Sequence, residues 1–182
     1  MKAIFETERL IIRQWEQKDR KDLYEYASDP SVTKFLCFPT YASIADADER
    51  ISTLIEKYKE NPICVDYCIE CKECKKAIGG IGIVHHKESN EGEAEIGYVL
   101  NPKFNGKGFM TEALLGFFSY IKNNEIAKRI YLRCDVENIK SANVMVRAGM
   151  KFEGILRKAG HNNYHSRHDV AQYSILYEEI KI

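Results

Sequence analysis

The chain has 182 residues, and its 27 Lys and Arg balance its 27 Asp and Glu, so the formal net charge at pH 7 is zero. This length suits a single domain over residues 1–182, and the neutral balance argues against a nucleic-acid binder held mainly by counterion release. The first residues contain no apolar signal core, and the sequence has no run of about 18 apolar residues that could span a membrane. We therefore expect a soluble cytoplasmic protein.

The first half of the chain is predicted to contain one strand, two helices and a two-stranded hairpin. Helical spacing of apolar residues indicates the helices, and short apolar or alternating runs indicate the strands. In order, we expect strand 9–15, helix 18–28, helix 44–58, strand 63–71 and strand 77–86. Asp29-Pro30 and Asn61-Pro62 are expected to end the two helices, because proline interrupts the helical hydrogen bonds.

The second half continues with strands and helices that alternate. The expected elements are strand 93–100, helix 110–121, strand 130–136, helix 139–148, and a hairpin of 151–156 with 170–177. Gly149 is expected to cap the helix before it. The resulting order, βααβββαβαββ, predicts a mixed α/β (α+β) fold in which helices flank one sheet.

The segment 95–114 carries the most functional information. It is predicted to form a strand, a turn that contains Gly106 and Gly108, and a helix. The glycines let a ligand approach the backbone without a Cβ in the way. A helix that begins just after them directs unpaired N–H groups, with roughly +0.5 of a charge, toward the same point. The segment is therefore expected to bind a phosphate or pyrophosphate.

Other glycine and nucleophile motifs do not match. A Walker A loop would need Lys after Gly108, where Phe109 stands, and a dinucleotide fingerprint would need a third glycine where the chain has Thr111. The glycines of 79–82 lie within a predicted strand and open no helix, so we interpret them as a packing or bulge feature. The sequence contains no G-x-S-x-G nucleophile elbow.

Four cysteines, Cys64, Cys68, Cys71 and Cys74, fall close together, and their spacing superficially matches an iron–sulfur site. In a strand, however, Cys68 and Cys71 point to opposite faces. Cys71 and Cys74 could meet across the turn that follows. We therefore favour reduced thiols in a hairpin over a metal cluster.

Several segments together resemble the GNAT acetyltransferases, and within them the branch of ribosomal-protein alanine N-acetyltransferases. The resemblance covers nearly the whole chain, and the order and spacing of the segments make it specific. The segments are Thr7-Glu8-Arg9-Leu10-Ile11-Ile12-Arg13, Gly97-Tyr98, Asn105-Gly106-Lys107-Gly108-Phe109, Asn138-x-x-Ser141, Arg147-Ala148-Gly149-Met150-Lys151-Phe152-Glu153-Gly154, and Asp169-Val170 with Tyr173.

The resemblance implies a mostly antiparallel central sheet, acetyl-coenzyme A as co-substrate, and no metal. The pantetheine arm would lie beside Tyr98, Val99 and Leu100, where a backbone N–H would polarise the thioester carbonyl as an oxyanion donor does. An amine would then attack directly, without a covalent enzyme intermediate. The pyrophosphate would lie on Asn105, Gly106, Lys107, Gly108, Phe109, Met110 and Thr111.

Two residues are candidates for proton transfer. Glu95 could take a proton from the attacking amine, through water, or it could be an ordinary exposed strand carboxylate. Ser141, at the start of a helix, could protonate the departing thiolate or only order that helix. Asn138 could cap the same helix and also contact the pantetheine arm. The position where many GNAT enzymes have a tyrosine acid is Met145, which cannot donate a proton.

The acceptor is the least determined part of the prediction. His161 and His165 are expected to border the acceptor site, and a loop role is favoured over metal ligation. The acidic residue that ribosomal-protein acetyltransferases often have near the position of Gly160 is absent. We expect a protein N-terminal α-amine, while polyamines, aminoglycosides and amino-acid derivatives stay open, as does a homodimer. A non-catalytic acyl-coenzyme A sensor is a further alternative, which would keep Gly106 and Gly108 without a usable base.

Overall fold

One sheet holds all eight strands in the part of the chain that the computed structural model describes, residues 3–60, 65–87 and 92–181. In space the strands follow the order β1-β2-β3-β4-β5-β6-β8-β7, and only β5 and β6 are parallel neighbours. The mixed, mostly antiparallel sheet is confirmed. The strands are β1 (Ala3–Glu6), β2 (Leu10–Arg13), β3 (Asp66–Cys71), β4 (Ala77–Lys87), β5 (Glu93–Leu100), β6 (Arg129–Asp135), β7 (Lys151–Gly160) and β8 (His168–Leu176).

Five α-helices accompany the sheet: α1 (Arg20–Ala27), α2 (Pro30–Thr33), α3 (Ile44–Glu60), α4 (Phe109–Asn123) and α5 (Ile139–Arg147). Sequence patterns missed β1 and α2, because elements of four residues are too short to show a period. Pro30, expected only to end a helix, also begins the next one, with Asp29 as its cap. Asn61-Pro62, the start of the predicted strand 63–71 and Cys64 lie outside the described residues.

The helices cover both faces of the sheet. On one face, α4 buries Phe117 and Phe118 completely, which stabilises the fold by about 1.5–3 kcal/mol for each side chain. The ring of Phe117 packs 6.1 Å from that of Phe5 in β1 and 6.4 Å from that of Tyr67 in β3. On the other face, α1 and α3 form a second apolar cluster with β3 and β5, which includes Leu23, Ile51, Leu54, Cys68 and Val99. In the described residues, no helix is long and apolar enough to cross a membrane.

The parallel strands β5 and β6 separate before β5 ends. Their pairing stops at Glu95 with Tyr131, whereas β5 stays paired with β4 up to Leu100 with Gly79. The backbone N–H of Asn101 donates to Ile78 in β4 at 2.8 Å. Because backbone groups alternate in direction along a strand, those of Tyr98 and Leu100 point away from β4. They therefore face the opening between β5 and β6.

The glycines and cysteines of β3 and β4 have structural roles. A Cβ on Gly79 would lie 2.3 Å from the carbonyl oxygen of Val99, and one on Gly82 would lie 2.2 Å from that of Val65, so the packing interpretation is confirmed. Cys68 and Cys71 belong to the apolar clusters on opposite faces of the sheet, as expected from alternation. Cys74 meets Cys71 across the turn through a side-chain hydrogen bond. Burial is the main cause that raises the pKa of Cys74, and this hydrogen bond is the second.

Candidate active site

The turn before α4 forms an open cradle. Gly106 and Gly108 have φ values of 77° and 79°, and a Cβ on Gly106 would meet no atom within 4 Å. Among the described residues, no backbone hydrogen bond is donated by Phe109, Met110 or Thr111, the first turn of the helix. The buried hydroxyl of Thr111 also lacks a partner there. These unpaired donors fit a phosphate group, which would accept hydrogen bonds from them.

A distant segment braces this cradle. The Arg9 guanidinium donates to the carboxylate of Glu112 at 2.6 Å and to the carbonyl of Lys107 at 2.9 Å, and it lies 4.4 Å from the ring centre of Phe109. Thr7 adds a hydrogen bond to Glu112 at 2.6 Å. Burial would raise the pKa of Glu112, but these hydrogen bonds outweigh it and lower that pKa. Residues that are far apart in sequence therefore fix the loop.

A cavity of about 970 Å³ extends from the cradle along the gap between β5 and α5. Every residue predicted to bind coenzyme A except Lys107 lines it, and the carbonyl of Lys107 is held by Arg9. Sequence reasoning missed a stripe on α5 that also lines the cavity. Its residues recur at helical spacing, which is the signal that could have shown them. They are Lys140, Asn143, Val144 and Arg147.

Ser141 and Tyr98 meet across the gap between the parallel strands. The Tyr98 hydroxyl lies 2.9 Å from the Ser141 hydroxyl, and it donates to the Ser141 carbonyl at 3.1 Å. Burial raises the pKa of Tyr98, and the Ser141 contact opposes that rise. Asn138 caps α5, with its side-chain oxygen accepting from the Ser141 N–H at 3.2 Å, so the structural role foreseen for it is confirmed. Its contact with the pantetheine arm stays a prediction.

A second cavity, of about 800 Å³, meets the first along a shared wall, and we call it the acceptor cavity. The shared residues are Phe35, Leu36, Tyr98, Val99, Asn138 and Ser141. The remaining walls of the acceptor cavity come from the segment after α2, from α3 and from strands β3 to β6. These residues include Phe38, Arg50, Asp66, Gly82, His85, Glu95, Gly97, Tyr131, Arg133 and Cys134.

Glu95 faces the acceptor cavity but is already paired. Nε and Nη2 of Arg133 each donate to one of its carboxylate oxygens at 2.8 Å. This contact raises the pKa of Arg133, against the effect of its partial burial. Only 12 % of the Glu95 side chain is exposed. The bidentate guanidinium therefore fixes the orientation of the Glu95 carboxylate.

The two histidines predicted to border the acceptor site, His161 and His165, line neither cavity. The ring of His165 packs at a tilt against that of Tyr164, with ring centres 4.2 Å apart, and its Nε2 lies 3.6 Å from Glu137. The carbonyl of His161 accepts from the Cys37 thiol at 3.5 Å. Asn163, between them, donates to the carbonyls of Thr33 and Phe38. The segment thus closes over the wall of the acceptor cavity, and a contact of either histidine with substrate stays a prediction.

Cys134 and Met145 line the acceptor cavity. Burial raises the pKa of Cys134 to about 11, with a contribution from the charge of Asp135 and an opposing one from Ser141. The thiol is therefore protonated near neutral pH and is a poor nucleophile. Met145 is buried. In the described residues, no group of three His, Cys, Asp or Glu side chains is arranged to hold a metal ion.

The arrangement is that of a two-substrate transferase whose donor carries a phosphate group: a helix-terminal cradle, a gap between parallel strands, and a second cavity at the end of the gap. The sequence profile of the Acetyltransferase (GNAT) domain matches residues 9–151. The chain therefore belongs to the GNAT family of acetyltransferases. Membership of this family makes it an acyltransferase.

Individual relatives agree with this assignment. The protein named uncharacterized N-acetyltransferase YnaD of Bacillus subtilis is 33% identical over 153 residues, which cover 84% of this chain and 85% of that protein. The Microcin C7 self immunity acetyltransferase MccE, solved in complex with acetyl-CoA and AMP, superposes with a TM-score of 0.82 at 25% identity, covering 93% of each chain. The ribosomal L7/L12 alpha-N-protein acetyltransferase RimL, in complex with coenzyme A, has a TM-score of 0.83 at 22% identity, covering 96% and 98%. The RimL comparison shows a shared fold.

Proposed function

We propose that the protein transfers an acetyl group from acetyl-coenzyme A to a primary amine by direct attack in a ternary complex, and that the acceptor is a protein N-terminal α-amine. The observation that carries this proposal is the junction of the two cavities at Tyr98, Val99, Asn138 and Ser141. A donor in the first cavity and an acceptor in the second would meet there. The protonated state of Cys134 supports direct attack over an acyl-cysteine intermediate.

The donor would be held along its whole length by groups of this chain. The cradle at 105–111 would take the pyrophosphate, and the backbone groups of Tyr98 and Leu100 that face the gap would bond the pantetheine arm. One of these N–H groups would stabilise the oxyanion that forms on the thioester carbonyl. Asn138 would add a side-chain contact to the arm.

The thiolate would leave beside Ser141. Its hydroxyl lies within hydrogen-bond distance of Tyr98, so a proton passed to sulfur by Ser141 can be replaced from the Tyr98 hydroxyl. On the acceptor side, Glu95 is the carboxylate that the sequence predicts as proton acceptor. Each of its oxygens already accepts a hydrogen bond from Arg133, so a proton would have to bind a remaining lone pair beside the guanidinium charge.

The free energy needed to deprotonate the acceptor favours an α-amine. An α-amino group with a pKa near 8 costs about 1.4 kcal/mol to deprotonate at about pH 7, whereas a lysine with a pKa near 10.4 costs about 4.6 kcal/mol. A site with few proton acceptors acetylates the first more readily.

The experiment is a thiol-release assay with purified protein, acetyl-coenzyme A and a panel of acceptors. The panel contains peptides with free and with blocked N-termini, free lysine, a polyamine, an aminoglycoside and single amino acids. Release that requires a free peptide N-terminus supports the proposal. Release only with small amines moves the acceptor to that class, and tight donor binding without release for any amine indicates an acyl-coenzyme A sensor.

A further inference from the structure

A second carboxylate faces the acceptor cavity from β3. Asp66 lies opposite Gly82 in β4, and its Oδ1 is 2.9 Å from the position that a Cβ on Gly80 would occupy. The carboxylate therefore lies over bare backbone, because any side chain at Gly80 would displace it. Gly80 is paired with Val99 in β5, so the carboxylate stands over the strand next to the one that lines the gap.

Asp66 has an oxygen that accepts no hydrogen bond among the described residues, whereas each oxygen of Glu95 already accepts one. The contact of its side chain among the described residues is a hydrogen bond from Nη2 of Arg50 to Oδ2, long at 3.4 Å, and Oδ1 accepts none there. The Asp66 side chain is 32 % exposed, and this exposed part opens to the acceptor cavity. Both oxygens of Glu95 are held at 2.8 Å by Arg133. Of the two carboxylates in this cavity, Asp66 is thus the freer one.

The surroundings of Asp66 favour a proton on it. Desolvation raises its pKa, and Arg50 opposes the rise by charge and by its hydrogen bond. Besides His85 of β4, which also lines the acceptor cavity, the titratable groups near it are neutral near pH 7 or belong to an ion pair on the neighbouring strands. They are Tyr26 from α1, Tyr41 from the segment before α3, Tyr58 from α3, Cys68 from its own strand, and the Glu95–Arg133 pair on β5 and β6. A carboxylate whose pKa moves toward the working pH is a better general base.

We propose that Asp66 takes the proton from the acceptor amine through one water molecule in the acceptor cavity, while Glu95 holds Arg133. This inference rests on the proposed function. Oδ1 accepts no hydrogen bond among the described residues and opens to the acceptor cavity, so one water there can bridge it to the amine and relay a proton.

The step balances as follows. The ammonium form of the acceptor first loses a proton to the water, which passes one of its own to Oδ1 of Asp66. The neutral nitrogen then forms the C–N bond with its lone pair, the C–S bond breaks with its electron pair on sulfur, and the second proton leaves the nitrogen for solvent. Asp66 then releases the proton to solvent through the open side of the cavity, and the thiolate is protonated from the Ser141 side.

The test compares carboxylate variants with the best acceptor of the amine panel. Asp66→Asn keeps the shape of the side chain and should lower kcat by at least about a hundredfold near neutral pH, with an unchanged dissociation constant for acetyl-coenzyme A. The deficit should shrink as pH rises to about 9, because more of the acceptor is then already neutral. Glu95→Gln should lower kcat by less than about tenfold. Asp48→Asn is the matched control. Asp48, like Asp66, has an arginine partner at 3.4 Å, in its case Arg20, but it lines neither cavity.

A second variant leaves the carboxylate in the protein. Gly80→Ala would force Oδ1 of Asp66 to move, and it should also lower kcat without weakening acetyl-coenzyme A binding. A larger loss in Glu95→Gln than in Asp66→Asn, or wild-type pH profiles in both Asp66→Asn and Gly80→Ala, would overturn the assignment of Asp66 while acetyl transfer itself stands. No release of thiol by the wild-type protein with any amine would instead reject the proposed function, and with it the base.

Discussion

The hydroxyl of Tyr98 lies 2.9 Å from that of Ser141 and joins β5 to α5 across the gap between two parallel strands. Each residue is held by a further contact, Ser141 by the Asn138 cap and Tyr98 by the Ser141 carbonyl. The hydroxyl that we propose as proton donor is thereby fixed beside the gap before any ligand binds. Preorganisation of this kind lowers the cost of reaching the transition state.

Removing the Ser141 hydroxyl should slow turnover only modestly. Ser141→Ala is expected to lower kcat by about tenfold or less, because a thiol with a pKa near 8.5 leaves tolerably as thiolate. Tyr98→Phe should have a similar effect. Steady-state rates with a good acceptor measure both, and Ser119→Ala, an exposed serine on α4, serves as control. A loss of more than about a thousandfold would make Ser141 an obligatory acid.

A side chain at Gly108 should block the phosphate cradle. Gly108→Val is expected to raise the dissociation constant for acetyl-coenzyme A at least about tenfold, or about 1.4 kcal/mol. Its φ of 79° also strains any L residue, so the control must share that feature. Gly154→Val does so, because Gly154 has a φ of 151° and lines neither cavity. Calorimetric titration that gives equal affinity for folded Gly108→Val and wild type would reject the cradle.

The brace on the cradle should depend on pH through Glu112. Its folded-state pKa is lowered from 4.5, so the stabilisation is complete above about pH 4.5 and is lost as pH falls through the lower folded value. Glu112→Gln should therefore have a lower melting temperature and weaker acetyl-coenzyme A affinity than wild type near neutral pH. In acid the melting temperatures should converge. A difference that stays constant down to about pH 3 would show that the charge of Glu112 is not involved.

The buried cation Arg13 should be essential for stability. It is almost fully buried and donates to Asp19 at 2.7 and 2.8 Å and to Glu70 at 2.6 Å. Burial alone would lower the pKa of Arg13, but these bonds raise it. Arg13→Ala would leave buried carboxylates unpaired and should cost about 3–5 kcal/mol of unfolding free energy. Urea titration measures this cost, and the exposed Arg20→Ala should lose less than about 1 kcal/mol.

Local patterns predicted the cradle and the cap correctly, because both depend on residues within a few positions. Two glycines before an apolar helix were enough to predict the cradle. Asn138, three residues before Ser141, was enough to predict the cap of α5. The long strands were also foreseen, with small differences at their ends. The order of β7 and β8 was not, since a hairpin pattern does not say which of its strands pairs with β6.

The charged contacts of the site depend on register between distant segments. Glu95 and Arg133 are 38 residues apart, and Arg9 and Glu112 are 103 apart. Asp66 reaches the acceptor cavity because β4 presents glycine beside it, a coincidence of two strands that neither sequence segment shows alone. Partners of this kind follow from tertiary pairing, and so Glu95 was predicted without the arginine that holds it.

The position of β8 between β6 and β7 has a consequence for the nascent chain. The ribosome makes β6, α5 and β7 first, yet β6 and β7 both pair with β8. Until His168 and the residues after it emerge, one edge of β6 is bare and β7 has no neighbour in this sheet, so unpaired strand edges are open to aggregation. Chains arrested before β8 should therefore need chaperones, and an affinity resin that carries coenzyme A should fail to retain them.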